Sequence, residues 1–266
     1  MVPATARNAA GRMRAPVPRM LAEVIRTQVL TLLRSPIYSI FSLALPVIFW
    51  LFFALPYAHT RVGGVSGGAF LLASFGAYAV ANVMLFTFGI TIAMERGRKQ
   101  DLLLRATPLP PWVYLLARVV AATVFALAAL LVLSVVAVIT GGVSLSAAQW
   151  VTLVSRLLVG SLPLLALGLA IGYLVSPNAA PAVVNLIGLP MYFASGIFVP
   201  VSALPVFIQR IAPYLPTYRY GQLAWGAIGA PADPASTDLL WLAGYTVLFL
   251  AITLRAYRLE ESRKFT

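Results

Sequence analysis

Between Arg156 and Arg210 the sequence reads LLVGSLPLLALGLAIGYLVSPNAAPAVVNLIGLPMYFASGIFVPVSALPVFIQ (residues 157–209), without a single Asp, Glu, Lys or Arg. A water-soluble surface cannot be built from such a run, because soluble domains carry charge on about a quarter of their residues. The whole chain points the same way: 61% of its 266 residues are hydrophobic and only 10% are charged. We therefore expect a protein of the lipid bilayer.

The apolar runs predict an all-α polytopic membrane protein with six transmembrane helices. A helical crossing needs about 20 mostly apolar residues, because every backbone N–H and C=O group in hydrocarbon must be hydrogen-bonded within its own segment. The runs are continuously apolar rather than alternating, which argues against a transmembrane barrel. The predicted spans are about 37–58, 69–94, 112–139, 150–174, 181–199 and 237–256.

The distribution of basic residues predicts the orientation. A formal net charge of +12 could suggest nucleic-acid binding, but the basic side chains sort by side of the membrane. They concentrate in the two termini and in the loop between the second and third spans, as is typical of cytoplasmic segments. We expect both termini in the cytoplasm, a plasma-membrane location, and contact with anionic lipid rather than nucleic acid.

The chain divides into a basic tail (1–18), one transmembrane domain (19–257) and a C-terminal tail (258–266). Apolar residues on one face of 19–34 predict an amphipathic helix lying in the membrane interface. Its role is either a simple anchor for the first span or a contact for a cytoplasmic partner. We expect no secretion signal, because no long apolar core precedes the first span.

Several kinds of chemistry are excluded by residue content. There is no cysteine, so disulfide and thiolate chemistry are impossible. All seven acids lie at or beyond span ends, and the single histidine, His59, has no acidic neighbour in sequence. We therefore expect neither an enzyme nor a metal site. Two arginines, Arg118 and Arg156, fall within spans and are expected to snorkel to head groups, the alternative being contact with an anionic cargo.

The loop after the second span reads ERGRKQDLLLRATPLP (residues 95–110). A generic loop needs no exposed Leu102-Leu103-Leu104 run, so we expect that run to be buried against a partner or the spans. The prolines that follow end the helix and return the chain to the membrane.

A second informative stretch follows the fifth span and reads SGIFVPVSALPVFIQRIAPYLP (residues 195–216). Its side chains are too apolar for a free external loop. Its prolines divide it into pieces too short to cross the bilayer. We expect these pieces to lie half-inserted as short helices.

With these two stretches in this order between basic termini, the chain resembles the permease subunits of type-2 ABC exporters. The resemblance implies that the first stretch is the coupling helix, which docks on an ATP-hydrolysing subunit, although the Gly-Thr pair common in the family is Lys99-Gln100 here. It also implies that the second stretch forms re-entrant helices closing the external end of the pathway. The coupling residues expected from the resemblance are Glu95, Arg96, Asp101, Leu103, Leu104, Thr107 and Pro108. The gate residues expected from it are Ser195, Gly196, Pro200, Leu204 and Pro205. The pathway residues that we assign are Asn82, Phe86, Asn185, Tyr192 and Phe193.

No Gly-x-x-x-x-Gly-Lys-[Ser/Thr] phosphate loop occurs in the chain. The resemblance therefore implies two copies of a separate cytoplasmic ATPase that holds ATP and Mg²⁺, and two permease chains, a homodimer, around the pathway. We expect no cofactor on this chain. The apolar spans favour export of a hydrophobic or amphiphilic compound, a drug or a lipid. A polysaccharide or glycolipid exporter, a proton-coupled secondary transporter and a non-transporting scaffold remain alternatives.

Overall fold

The computed structural model describes residues 17–34, 36–98 and 110–263. In these ranges the chain is helical, apart from connecting turns and one short hairpin. The elements in chain order are α1 (Val17–Leu33), α2 (Pro36–Phe49), a π-helical turn (Trp50–Ala54), a 3-10 turn (Leu55–Tyr57), β1 (Arg61–Val62), β2 (Val65–Ser66), α3 (Gly67–Gly97), α4 (Pro111–Gly141), α5 (Ala147–Gly160), α6 (Leu162–Leu174), α7 (Ala180–Ala194), a second 3-10 turn (Val201–Ala203), α8 (Val206–Ile211), a third 3-10 turn (Ala212–Tyr214), α9 (Pro216–Ala227) and α10 (Ala235–Arg263).

Four helices in the described ranges are long and apolar enough to cross a membrane. They are Gly67–Gly97, Trp112–Gly141, Ala147–Leu174 and Ala235–Leu259, and they coincide with the predicted second, third, fourth and sixth spans. The prediction of an all-α polytopic membrane protein is thereby confirmed. The first and fifth predicted spans correspond to shorter apolar helices, Ser42–Tyr57 and Ala180–Ala194, so the count of six stays a prediction.

The structure explains why the two shorter apolar helices, α2 and α7, end where they do. The α2 helix contains Pro46 and passes into the π-helical turn that starts at Trp50. Trp50 is fully buried and donates from Nε1 to Thr140 Oγ1 at 2.9 Å, which fixes the end of α2 against α4. The α7 helix ends at Ala194 rather than near residue 199, because Gly196 takes a φ of +86°, which no right-handed helix can contain.

The centre of the fold is α3, which packs against α2, α4, α6, α7 and α9. In the apolar 18-residue stretch of α3, 78% of the residues are buried inside the chain, whereas in the corresponding stretch of α10 only 17% are buried. Gly168 and Gly172 of α6 bring the two backbones together. A Cβ atom at Gly168 would lie 2.8 Å from the carbonyl oxygen of Leu85, and one at Gly172 would lie 2.7 Å from that of Phe88. Small residues at these two positions therefore allow α3 and α6 to pack closely, as is common between transmembrane helices.

The fourth predicted span is made of two helices joined at Ser161. The Ser161 hydroxyl donates to the carbonyl oxygen of Leu158 at 2.8 Å, and Pro163 lies in the first turn of α6, where its missing N–H group costs nothing. The N-terminus of α5 is capped by a capping box formed by Ser146 and Gln149.

Short helices connect α7 to α10, as expected for this connection. The longest, α9, starts at Pro216 and buries one face between α3 and α5. Trp225 donates from Nε1 to Ser74 Oγ at 2.8 Å, and Tyr220 donates to the carbonyl oxygen of Leu157 at 3.1 Å. Their depth in the membrane stays a prediction, as does the interfacial position of α1, which packs against α4.

Candidate functional site

Glu95, at the end of α3, is held by two side chains of α4. Arg118 donates from Nη1 to Oε2 at 2.7 Å and from Nη2 to Oε1 at 2.6 Å, a two-pronged ion pair. Tyr114 adds a hydrogen bond to Oε2 at 2.9 Å, and the Arg118 guanidinium lies over its ring at 5.5 Å from the centroid. We call Glu95, Tyr114 and Arg118 the junction cluster.

The junction cluster corrects the expectation for Arg118. Its side chain is only 2% exposed, so it neither snorkels to head groups nor contacts cargo in this conformation. The sequence carried a usable signal. Glu95 directly follows the predicted second span and Arg118 lies less than two turns into the third, so adjacent antiparallel helices place both at the same depth.

The two residues that follow Glu95 bind other elements. Arg96 donates from Nη1 to the carbonyl oxygens of Gly172 and Val175 at the end of α6, and its guanidinium lies over the Tyr173 ring at 5.6 Å. Gly97 packs so closely on Pro177 that a Cβ atom would lie 2.4 Å from its ring. The last turn of α3 is therefore fastened to α4, to α6 and to the turn that leads into α7.

The rest of the predicted coupling segment lies outside the described residues. This concerns Asp101, Leu103, Leu104, Thr107 and Pro108. Their role stays a prediction, and the junction cluster is the described structure from which that segment departs.

At the other end of the bundle, the predicted gate begins with Ser195 and Gly196. Ser195 is fully buried, and its hydroxyl donates to the carbonyl oxygen of Tyr192 at 3.1 Å. A Cβ atom at Gly196 would lie 2.8 Å from Val201 Cγ2 and would also strain the positive φ, so the position favours glycine.

The turn after Gly196 places Phe198 in the middle of an aromatic cluster. Its ring contacts five others, each edge-on or tilted, with centroid distances from 4.8 to 6.2 Å. Those five are Phe49, Phe75, Tyr78, Tyr192 and Phe193. Phe198 is not among the gate or pathway residues expected from the sequence.

The remaining gate residues form a surface turn. Pro200 and Pro205 precede the second 3-10 turn and α8, and Gln209 of α8 donates back to the carbonyl oxygens of Leu204 at 2.8 Å and Ser202 at 3.3 Å. No residue of α8 is buried.

Arg219 ties α9 to the start of α10. It donates from Nη1 to Asp233 at 2.7 Å and to Asp238 at 3.3 Å, and from Nε to the carbonyl oxygen of Pro213 at 2.9 Å. Asp238 is fully buried, and the guanidinium lies over the Trp241 ring at 5.4 Å. Arg156 was expected to snorkel to head groups. It is instead half-buried against α9, where it donates from Nη1 to the carbonyl oxygen of Leu223 at 3.3 Å.

The predicted pathway residues do not all share one surface. Asn82 and Phe86 lie one turn apart on α3 and are partly exposed. Asn185 and Phe193 lie on the exposed side of α7, with the Asn185 amide donating to the carbonyl oxygen of Pro181 at 2.8 Å. Tyr192 is 1% exposed and packs inside the aromatic cluster, so in this conformation it cannot line an open pathway.

The possible metal ligands of the described residues are dispersed. No group of three His, Asp or Glu side chains there could hold a metal ion. His59 is exposed in the turn that precedes β1.

Residues 21–226 match the protein family described as "ABC-2 type transporter". The protein "Putative transport permease YvfS" of Bacillus subtilis (strain 168) is 27% identical over 230 residues, covering 86% of this chain and 94% of that protein. The matched region includes both stretches on which the sequence resemblance rests.

Proposed function

Because this chain belongs to the ABC-2 type transporter family, we propose that it is the permease subunit of an ATP-driven exporter. Two copies enclose the substrate pathway, and two cytoplasmic ATPase subunits hold ATP and Mg²⁺. Hydrolysis drives the pathway between inward-open and outward-open states through residues 95–109. The chain itself performs no catalysis.

The observation that carries this proposal is the family match over residues 21–226. It spans the loop after α3 and the connection after α7, the two places where the sequence carries the exporter pattern. The sequence contains no phosphate loop, which supports the proposal that a separate subunit binds the nucleotide.

The character of the exposed helix faces supports a hydrophobic or amphiphilic cargo. The exposed side of α7 presents Leu186 at 75% exposure, Leu189 at 40% and Phe193 at 49%, with the amide of Asn185 among them. A second copy facing this surface would enclose an apolar route with few polar groups. Such a route suits an acyl chain or a lipophilic drug better than a long polysaccharide.

The proposal is tested by purifying the tagged chain from native membranes. We expect an ABC ATPase to copurify, and mass photometry to give two permease and two ATPase subunits. Addition of lipids and lipophilic drugs from a panel should stimulate ATP hydrolysis by the complex, while oligosaccharides should not.

Purification of the chain without any ATPase would contradict the proposal and favour a non-transporting membrane scaffold. Substrate flux driven by a pH gradient through the chain alone would favour a proton-coupled secondary transporter. Stimulation by oligosaccharides alone would keep the exporter but replace its cargo with a polysaccharide or glycolipid.

A further inference from the structure

We propose that Glu95 and Arg118 are positioning residues that transmit force into the third span, and that Glu95 does not act by touching the ATPase. This inference rests on the proposed function. It assigns a role to Arg118, which neither the sequence motif nor the family match identifies.

The direction of the Glu95 carboxylate is the first observation. Both of its oxygens accept from side chains of α4, at 2.6 and 2.7 Å from Arg118 and at 2.9 Å from Tyr114. Glu95 is 22% exposed and Arg118 is 2% exposed. A carboxylate engaged on both oxygens has little capacity left to bind a cytoplasmic partner.

The setting of the pair is the second observation. Arg118 is buried in a helix of the membrane domain, where an unpaired charge is strongly unfavourable. The two-pronged geometry also fixes the relative orientation of its partners, as single-pronged pairs do not. The end of α3 and the start of α4 must therefore move together for as long as the pair is intact.

The neighbouring contacts extend the connection to other helices. Arg96 points away from Glu95 and binds the end of α6, and Gly97 packs on Pro177 in the turn before α7. The α1 helix packs along α4. The last turn of α3, from which residues 99–109 continue, is therefore connected to α4, to α6 and to the turn before α7.

This arrangement separates two functions within residues 95–109. The apolar run at 102–104 is the part expected to dock on the ATPase. The junction cluster converts displacement of that docked segment into movement of α3 and α4. Loss of the ion pair should leave docking intact and weaken transmission.

The test uses the permease–ATPase complex reconstituted in liposomes, loaded with the cargo that most stimulates hydrolysis. The variants are Glu95→Gln, Arg118→Lys, Glu95→Arg, Arg118→Glu and the charge swap that combines the last two. The matched control is Arg258→Glu, an equal charge reversal at an exposed position of α10. Three quantities are measured for each: ATPase recovered with the permease, ATP hydrolysed, and cargo exported per ATP.

We expect ATPase recovery to stay within about twofold of wild type for every variant. Exported cargo per ATP should fall about tenfold or more in Glu95→Arg and Arg118→Glu, because each leaves a buried charge unpaired. The charge swap should restore much of the cargo exported per ATP. Arg118→Lys should give a ratio between that of wild type and that of the charge reversals, and Arg258→Glu should match wild type. If the charge reversals fail to fold, Glu95→Gln and Arg118→Lys carry the same comparison with smaller perturbation.

Two results would overturn the inference. Loss of ATPase recovery in step with loss of export in the Glu95 variants would show that Glu95 contacts the ATPase directly. An unchanged export-to-ATP ratio in folded variants would show that the pair is only a structural fastening. Failure of the wild-type complex to export or to retain an ATPase would instead defeat the proposed function.

Discussion

Replacing Gly168 by alanine tests the close contact between α3 and α6 on which the fold is centred. The new Cβ atom would lie 2.8 Å from the carbonyl oxygen of Leu85, 3.1 Å from Phe88 Cβ and 3.2 Å from the nitrogen of Gly89. Two of these three are backbone atoms, which cannot turn aside as a flexible side chain can. The helices must separate by several tenths of an ångström, roughly the distance needed to restore ordinary contact.

The expected cost can be isolated with a matched control. Overpacking of this kind costs about 1–3 kcal/mol, while any helix-forming glycine replaced by alanine gains up to about 1 kcal/mol in propensity. Gly244→Ala in α10 shares that gain, and nothing lies within 4 Å of its new Cβ atom. The difference in stability between the two variants therefore reports the steric cost at Gly168 alone.

The measurement is thermal unfolding in detergent followed by the fluorescence of the five tryptophans. Gly168→Ala should melt several degrees below Gly244→Ala, at roughly 2–4 °C per kcal/mol for a chain of this size. Equal melting temperatures for the two variants would refute the proposed contact between α3 and α6.

The remaining predictions concern the end of the helical bundle opposite the junction cluster. Replacing Arg219 with glutamine should destabilise the chain by about 3 kcal/mol, because buried Asp238 loses its cation, and adding Asp238→Asn should recover most of that loss. Thermal unfolding of wild type and of these two variants checks this, and a double variant that melts no higher than Arg219→Gln would count against the pairing. Phe198→Ala should lower the stability by about 3 kcal/mol through lost ring contacts. Phe207 is 64% exposed, so Phe207→Ala should lower it by under about 0.5 kcal/mol. Similar losses of stability in both variants would show that the aromatic cluster is not packed around Phe198. Trp50→Phe should remove the hydrogen bond to Thr140 and cost about 1–2 kcal/mol, measured in the same way, and an unchanged melting temperature would show that the bond contributes nothing.

Long apolar helices were predictable because lipid imposes a length and a composition on any crossing segment. The ends of α3, α4 and α10 extend the predicted spans by one to several residues, since helices run past the hydrocarbon into the interface. Polar partners within the membrane domain were harder to predict. The pairing of Glu95 with Arg118 joins residues 23 apart, and it depends on how two helices rotate against each other.

Local irregularities show where a hydropathy pattern carries too little information. The hairpin at β1 and β2 turns through Gly63 and Gly64, both at positive φ, and that dipeptide is itself a turn signal that apolar runs obscure. The α9 helix has proline at its first position but also Gly221 and Gly226, so its pattern is weak and its formation depends on packing against α3 and α5. The buried position of Tyr192 likewise follows from the tertiary contacts of Phe198 and not from α7 alone.

The central claim is that this chain forms the pathway of an exporter driven by a partner ATPase. Its most direct test is the flux of a fluorescent amphiphile into liposomes that hold the purified chain with its ATPase facing outward. The account predicts flux that requires both proteins and hydrolysable ATP and stops when the ATPase is replaced by a hydrolysis-dead form. Equal flux through liposomes that hold the chain alone would contradict it.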